Sequence, residues 1–269
     1  MALHLLVELC EDIPMADIQQ LLQEIHNCSV ATSIRNGQPG PCQTIVLSQT
    51  GTTFHSPEPW SGQITTAPIL FLSSNPSISE EEMYPNASWA DEQITDFFQN
   101  RFCSRSGWVD SNLCALKRDG TRTQWVRYWA AARARASEIL DKPKPGIDFV
   151  LTEVVHCKSR YQEGVREALE FCCDRFLDSV LSISVAHVLI VNGKPAKGVI
   201  DRRYGSQLIT WHLPEKLAEF RVGNRSRMLV FLPAPNEHGP EKSLIANIGN
   251  NGISLLRSYL ASRAGPTVS

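Results

Sequence analysis

A chain of 269 residues, 42% hydrophobic and 20% charged, can bury one sizeable core or two modest ones, which excludes a long disordered protein and makes disulfide staples unnecessary. Its formal net charge of -2 supplies no global attraction for polyanions, so any binding of nucleic acid has to rest on a local basic patch. No apolar run approaches the roughly 18 residues of a membrane span, the start Met1-Ala2-Leu3-His4-Leu5-Leu6-Val7-Glu8 has no basic leader, and the eight cysteines, with Cys172 and Cys173 adjacent, read as reduced thiols; a cytoplasmic monomer with no membrane partner is expected.

In chain order, an amphipathic helix is predicted from Pro14 to Asn27, because Met15, Ile18, Leu21, Leu22 and Ile25 fall at helical spacing and Pro14 suits a first helical position. A turn-rich stretch through Gly37, Pro39, Gly40 and Pro41 leads into Thr44-Ile45-Val46-Leu47, predicted as a short strand. Four apolar runs follow, Ile69 to Leu72, Phe149 to Val155, Val188 to Val191 and Met228 to Leu232, each suited to a strand buried on both faces. Helical patterns separate them: Ile94, Phe97 and Phe98; Trp125, Tyr128, Trp129 and Ala132; Val165, Leu169, Cys172, Phe176, Leu177 and Val180. A last one carries Ile253, Leu256 and Leu260. Strands alternating with helices predict a parallel sheet between helical layers, with ligands outside the carboxyl ends of the strands.

The loops at those ends carry Ser73-Ser74-Asn75-Pro76-Ser77, then Thr152-Glu153-Val154-Val155-His156-Cys157-Lys158, then Asn192-Gly193-Lys194-Pro195, then Pro233-Ala234-Pro235-Asn236-Glu237-His238-Gly239. Alone, the first is an ordinary β-turn composition. Basic residues cluster between Arg101 and Arg135 and again from Lys197 to Arg227; solvated helix faces are the other reading of both runs.

Taken together in this order, the four loops resemble those of the uracil-DNA glycosylase superfamily. Asn75-Pro76 is similar to the Asn-Pro-Gly water-positioning motif of the mismatch-specific and single-strand-selective branches. Thr152 to Cys157 resembles the Thr-Asn-Val-Val-Lys-Cys strand of the iron-sulfur branch, Val188 to Ala196 its third strand and turn, and Pro233-Ala234-Pro235 stands where the family carries His-Pro-Ser-Pro. The resemblance covers about Ile69 to Leu260. It implies a three-layer α/β/α sandwich around a central four-stranded parallel sheet, residues 67–269, with residues 1–66 as an N-terminal helix-strand extension packed on the core.

The resemblance implies a DNA glycosylase, with single- or double-stranded DNA as partner; a catalytically silent nucleobase-binding module is the alternative. Such a reaction needs an oriented water on one side of the sugar and stabilisation of an anionic leaving base on the other, after the base has been flipped out. Asn75 is expected to place the water, with His238 as a second catalytic candidate or a bystander. Ser74, Ser77, Tyr84, Glu153 and Asn236 are expected to bind the base, Tyr84 (or Trp89) by stacking unless it is a core residue. Lys158, Arg160, Arg225 and Arg227 are expected to contact DNA.

The sequence departs from the family pattern at Ser77, which replaces Gly, at Leu232, which replaces the His, and at Glu153, which replaces the Asn that reads uracil. An ionised Glu153 only accepts hydrogen bonds and would repel a carbonyl; protonated, it regains a donor and an acceptor and mimics Asn; turned away onto an Arg or Lys, it reads nothing. Cys157 and Cys172 are spaced like two cluster ligands of the iron-sulfur branch, but no Cys-x-x-Cys is present, so no cofactor and no metal are expected and the thiols read as buried and free.

Overall fold

The computed structural model describes residues 15–49, 54–86, 88–222, 225–234 and 242–263. Three helices come first: α1 (Met15–His26), α2 (Ser29–Arg35) and α3 (Gln43–Leu47). Then follow β1 (Ile69–Ser73), α4 (Asp91–Asn100), a hairpin of β2 (Cys114–Leu116) and β3 (Arg122–Trp125), α5 (Arg127–Ser137) and β4 (Phe149–Glu153). After β4 come α6 (Val165–Cys172), a π-helical turn (Cys173–Leu177), α7 (Asp178–Ile183), β5 (Val188–Asn192) and α8 (Lys194–Tyr204). The described chain ends with β6 (Leu208–Leu213), β7 (Leu217–Val222), β8 (Arg225–Leu232) and α9 (Leu244–Arg263), the last broken at Gly249 by a positive φ.

The sheet runs β4-β1-β5-β8-β7-β6, with the first four strands parallel and β7 and β6 added antiparallel. The predicted four strands are thus the parallel core of a six-stranded sheet. The extra pair escaped the sequence pattern because β6 is largely exposed, so its apolar residues Leu208, Ile209, Trp211 and Leu213 do not follow one buried face. Side chains of the parallel strands alternate between two cores, as a period of two requires. Ile69, Phe71, Phe149, Leu151, Val188 and Ile190 pack with α5 and α9, whereas Leu70, Leu72, Val150, Leu189 and Val191 pack with α1 to α4 and α6 to α8. Burial on both faces explains the unbroken apolar runs.

Two further readings are corrected. Thr44 to Leu47 lies in α3 rather than in a strand: Ile45 and Val46 are adjacent and both buried in one core, which a helical turn allows and a strand, pointing them to opposite faces, does not. Trp125 closes β3 and stands 57% exposed instead of packing on a helix.

The segment before β1 is part of the same core. Trp60 and Ile64 are buried in it, and Ser61 exchanges backbone hydrogen bonds with Leu151 of β4 at 2.8 and 3.2 Å, covering the edge strand. Because β1 lies between β4 and β5, the chain leaves β1 toward one side and β5 toward the other. Their carboxyl ends therefore bound a crevice at the point where the winding reverses.

Candidate active site at the strand ends

Three polar side chains meet where β1 and β5 finish. Asn192 Nδ2 donates to Ser73 Oγ at 3.3 Å, and Ser73 Oγ lies 2.6 Å from the Tyr128 hydroxyl. Arg135, on the buried face of α5, donates to Asn192 Oδ1 at 2.6 Å, to the Pro233 carbonyl at 3.0 Å and to the Lys242 carbonyl at 2.8 Å. One guanidinium thus ties the end of β5 to both sides of the loop that carries Asn236 and His238. Those two residues lie outside the described residues.

The Asn75 loop continues the parallel ladder past the end of β1. Val154 N donates to Ser73 O, Val155 N to Ser74 O and Ser159 N to Pro76 O, at 2.9, 2.9 and 3.2 Å. The Asn75 amide nitrogen donates to Pro76 O and to Ser159 Oγ, both at 3.0 Å, which fixes the plane of the carboxamide. Its oxygen receives only a long 3.5 Å contact from Ser74 Oγ and so keeps accepting capacity. Asn75 is half-buried, Ser74 is buried and Ser77 is exposed.

Close to this loop, through Lys158, lies a buried ion network. Glu58 pairs with Arg101 and with Lys158, each at 2.9 Å, and Arg101 also pairs with Glu82. Ser61 Oγ and the Tyr84 hydroxyl donate to Glu58 at 2.9 and 3.3 Å. Burial alone would push the Glu58 carboxyl up, but Lys158 and Arg101 hold it down to about 2. Two carboxylates and two cations cancel.

Glu153 is a third carboxyl in the same region, paired in register with Ser73 and 4% exposed. Its Oε2 has no hydrogen-bond partner among the described residues. Burial raises its pKa well above the carboxylate range and the nearby Glu58 charge adds to this, with Lys158 and Arg101 opposing too weakly. Burial therefore favours the protonated form of the carboxyl that ends β4.

The structure relocates several expected site residues. Tyr84 is buried, with His55 stacked on its ring at 4.9 Å and the Lys158 ammonium 4.1 Å from its centroid, so it is a core residue and not a stacking platform. Lys158 is spent on Glu58 and hidden from any phosphate. Arg225 and Arg227 begin β8, at the amino end of the parallel sheet and thus opposite the crevice, where they donate to the carbonyls of Leu181, Ser182, Ser184 and Ala186. Of the basic run from 101 to 135, Arg101 and Arg135 are internal. Arg160 is exposed and paired with Glu80 at 2.9 Å.

The sequence places Asn192 at the strand ends without giving it a role, does not mark Glu58 or Tyr128 as members of the region, and leaves Arg101 and Arg135 in a basic run. A signal existed for Arg135, which shares a helix face with Ala132 and Ala136, and for Glu58, set between Pro57 and Pro59 just ahead of a buried Trp60.

Next to the network, four buried thiols converge from separate segments. Cys28 and Cys42 precede the adjacent helices α2 and α3, Cys157 follows β4, and Cys172 ends α6, which packs on α3. Burial pushes the Cys157 and Cys172 thiols well up, and the other cysteines of the set push both further; Cys42 is pushed up to about 11, by burial and then by Cys28. The absence of a Cys-x-x-Cys is thus no obstacle to bringing four thiols together. Among the described residues no group of three or more potential ligands is placed to hold a metal ion.

Neither a protein-family model nor a curated protein matches the chain. Among the described residues no helix is long and apolar enough to cross a membrane.

Proposed function

We propose that the chain is a DNA glycosylase-like N-glycosyl hydrolase on a three-layer, uracil-DNA glycosylase-like fold, acting on a base flipped into the crevice beyond β1 and β5. The observation that carries this reading is the buried Glu153 carboxyl two residues in register from the Asn75 loop, its Oε2 without a hydrogen-bond partner among the described residues and its pKa raised by burial. A carboxylic acid offers one donor and one acceptor side by side, the complement of the carbonyl and imide N–H of uracil. An ionised Glu would reject that edge.

In this reading Asn75 works through its oxygen. Both amide protons are held by Pro76 and Ser159, so the oxygen is fixed in direction and accepts from a water aimed at the anomeric carbon. As the glycosidic bond breaks, negative charge grows on the base carbonyl, where the Glu153 acid proton strengthens its hydrogen bond. Arg135 is a positioning residue, tethering the loop that follows β8 to Asn192.

One observation favours a binding module without hydrolysis. Leu232 is 5% exposed in the core, so no donor stands at the position where the family places His. Incubation with oligonucleotides containing uracil, hypoxanthine or xanthine, followed by alkali, separates the two readings. Strand breaks at uracil that fall by about 100-fold or more in Asn75→Ala support hydrolysis; tight binding without breaks supports the module.

A further inference from the structure

The loop joining β4 to α6 presents a side chain that the site described so far leaves unused. Tyr161 is 101% exposed, while the other exposed large apolar side chains reach at most 57%. It makes no hydrogen bond or ring contact with any described residue, and its backbone is left-handed, with φ of 52°, followed by Gln162 at 61°. Two successive non-glycine residues in that region are unfavourable, and they persist only where the surroundings impose them.

The surroundings here do impose them. Gln162 Nε2 donates to Ser74 Oγ at 3.1 Å and Glu163 N to the Arg160 carbonyl at 2.9 Å. Arg160 is tied to Glu80, and Ser159 is bonded to the Asn75 carboxamide. At the far end Gly164, with φ of +72°, sits so close to α3 that a Cβ would lie 2.2 Å from the Ile45 amide nitrogen. The loop is therefore pinned at Ser74, at Asn75 and at α3, and its tip holds an aromatic ring fully in water. Packing does not account for that ring, since no apolar neighbour covers it.

We infer that Tyr161 is a stacking platform for an unpaired nucleobase of the substrate strand, next to the base held at Asn75 and Glu153. This inference rests on the nucleic-acid reading above and deepens it by naming the residue that grips the strand. An aromatic face tolerates any base, and a loop backbone already pinned loses little freedom on binding. Ser159, bonded to Asn75, is two residues away in the chain, so the ring and the carboxamide serve neighbouring nucleotides. Arg160, exposed beside it, faces the same strand.

The test uses the full chain and a short fluorescein-labelled single-stranded DNA carrying one non-hydrolysable deoxyuridine analogue, with affinity read by anisotropy. Tyr161→Ala is expected to weaken binding roughly 5- to 100-fold and Tyr161→Phe to stay within about 2-fold of the parent. Tyr161→Gly separates function from folding: it relieves the left-handed backbone and raises the thermal midpoint, yet weakens binding as Ala does. Unchanged affinity in both Ala and Gly variants overturns the inference, and if the parent still cleaves uracil in an Asn75-dependent manner, the hydrolase reading survives it. A parent that neither binds nor cleaves the DNA overturns both.

Discussion

Glu58 and Glu153 are equally hidden from water, 5% and 4% exposed, yet their pKa values are shifted in opposite directions. Glu58 faces Lys158 and Arg101 at 2.9 Å each and stays ionised. Glu153 ends β4 without a hydrogen-bond partner for Oε2 among the described residues, and burial raises its pKa. Desolvation opposes the charge at both positions, and the partners within reach decide which carboxyl keeps one. The consequence is a division of labour. The network around Glu58 bonds largely to itself, while the buried Oε2 of Glu153 is left without a hydrogen-bond partner among the described residues.

The largest expected effect comes from breaking the compensated side. Glu58→Ala leaves Lys158 and Arg101 sharing one remaining carboxylate, Glu82, and is expected to cost about 4 kcal/mol, read as a lower urea midpoint. The pH dependence of the parent sharpens the contrast, because the two glutamates act with opposite sign. Glu58, held at about 2 against an ordinary 4.5, contributes stability that is present above 4.5 and lost as pH falls toward 2. Glu153, raised above 4.5, favours the folded state at low pH, and that contribution is lost as pH rises from 4.5 through its folded value.

A smaller effect is expected on the uncompensated side. Glu153→Gln keeps a donor and an acceptor but cannot ionise, so it should stabilise the protein at neutral pH by on the order of 1 kcal/mol and flatten the fall in stability above 4.5. Cleavage at uracil should persist in this variant and lose its decline at alkaline pH. Loss of activity in Glu153→Gln at every pH, with folding intact, would show that the acid proton does more than read the base.

The parts of this site that could be read early are those written in local pattern. The place of Asn75 in a loop after an apolar strand is local pattern, and the loop does follow β1; its expected role comes from the likeness to an Asn-Pro-Gly motif. Arg225 and Arg227 were misplaced because a basic run says nothing about direction; only the parallel pairing of β5 with β8 puts them at the amino end of the sheet. Tyr84 was misread because its cover comes from His55 and Lys158, the second of which lies far along the chain. Tyr161 carried no pattern at all, since exposure and a left-handed backbone have no signature in residue type.

Four apolar runs separated by helical segments determined a parallel sheet with its loops at one end, because burial on both faces demands unbroken hydrophobic strands and parallel neighbours demand crossovers. Those choices depend on periodicity within a few residues. The charge on Glu153, the ties of Arg135 and the meeting of Cys28, Cys42, Cys157 and Cys172 were decided only by the tertiary structure. Each depends on desolvation and on partners as distant as the 100 residues between Glu58 and Lys158, and long-range electrostatics leaves no local periodicity behind.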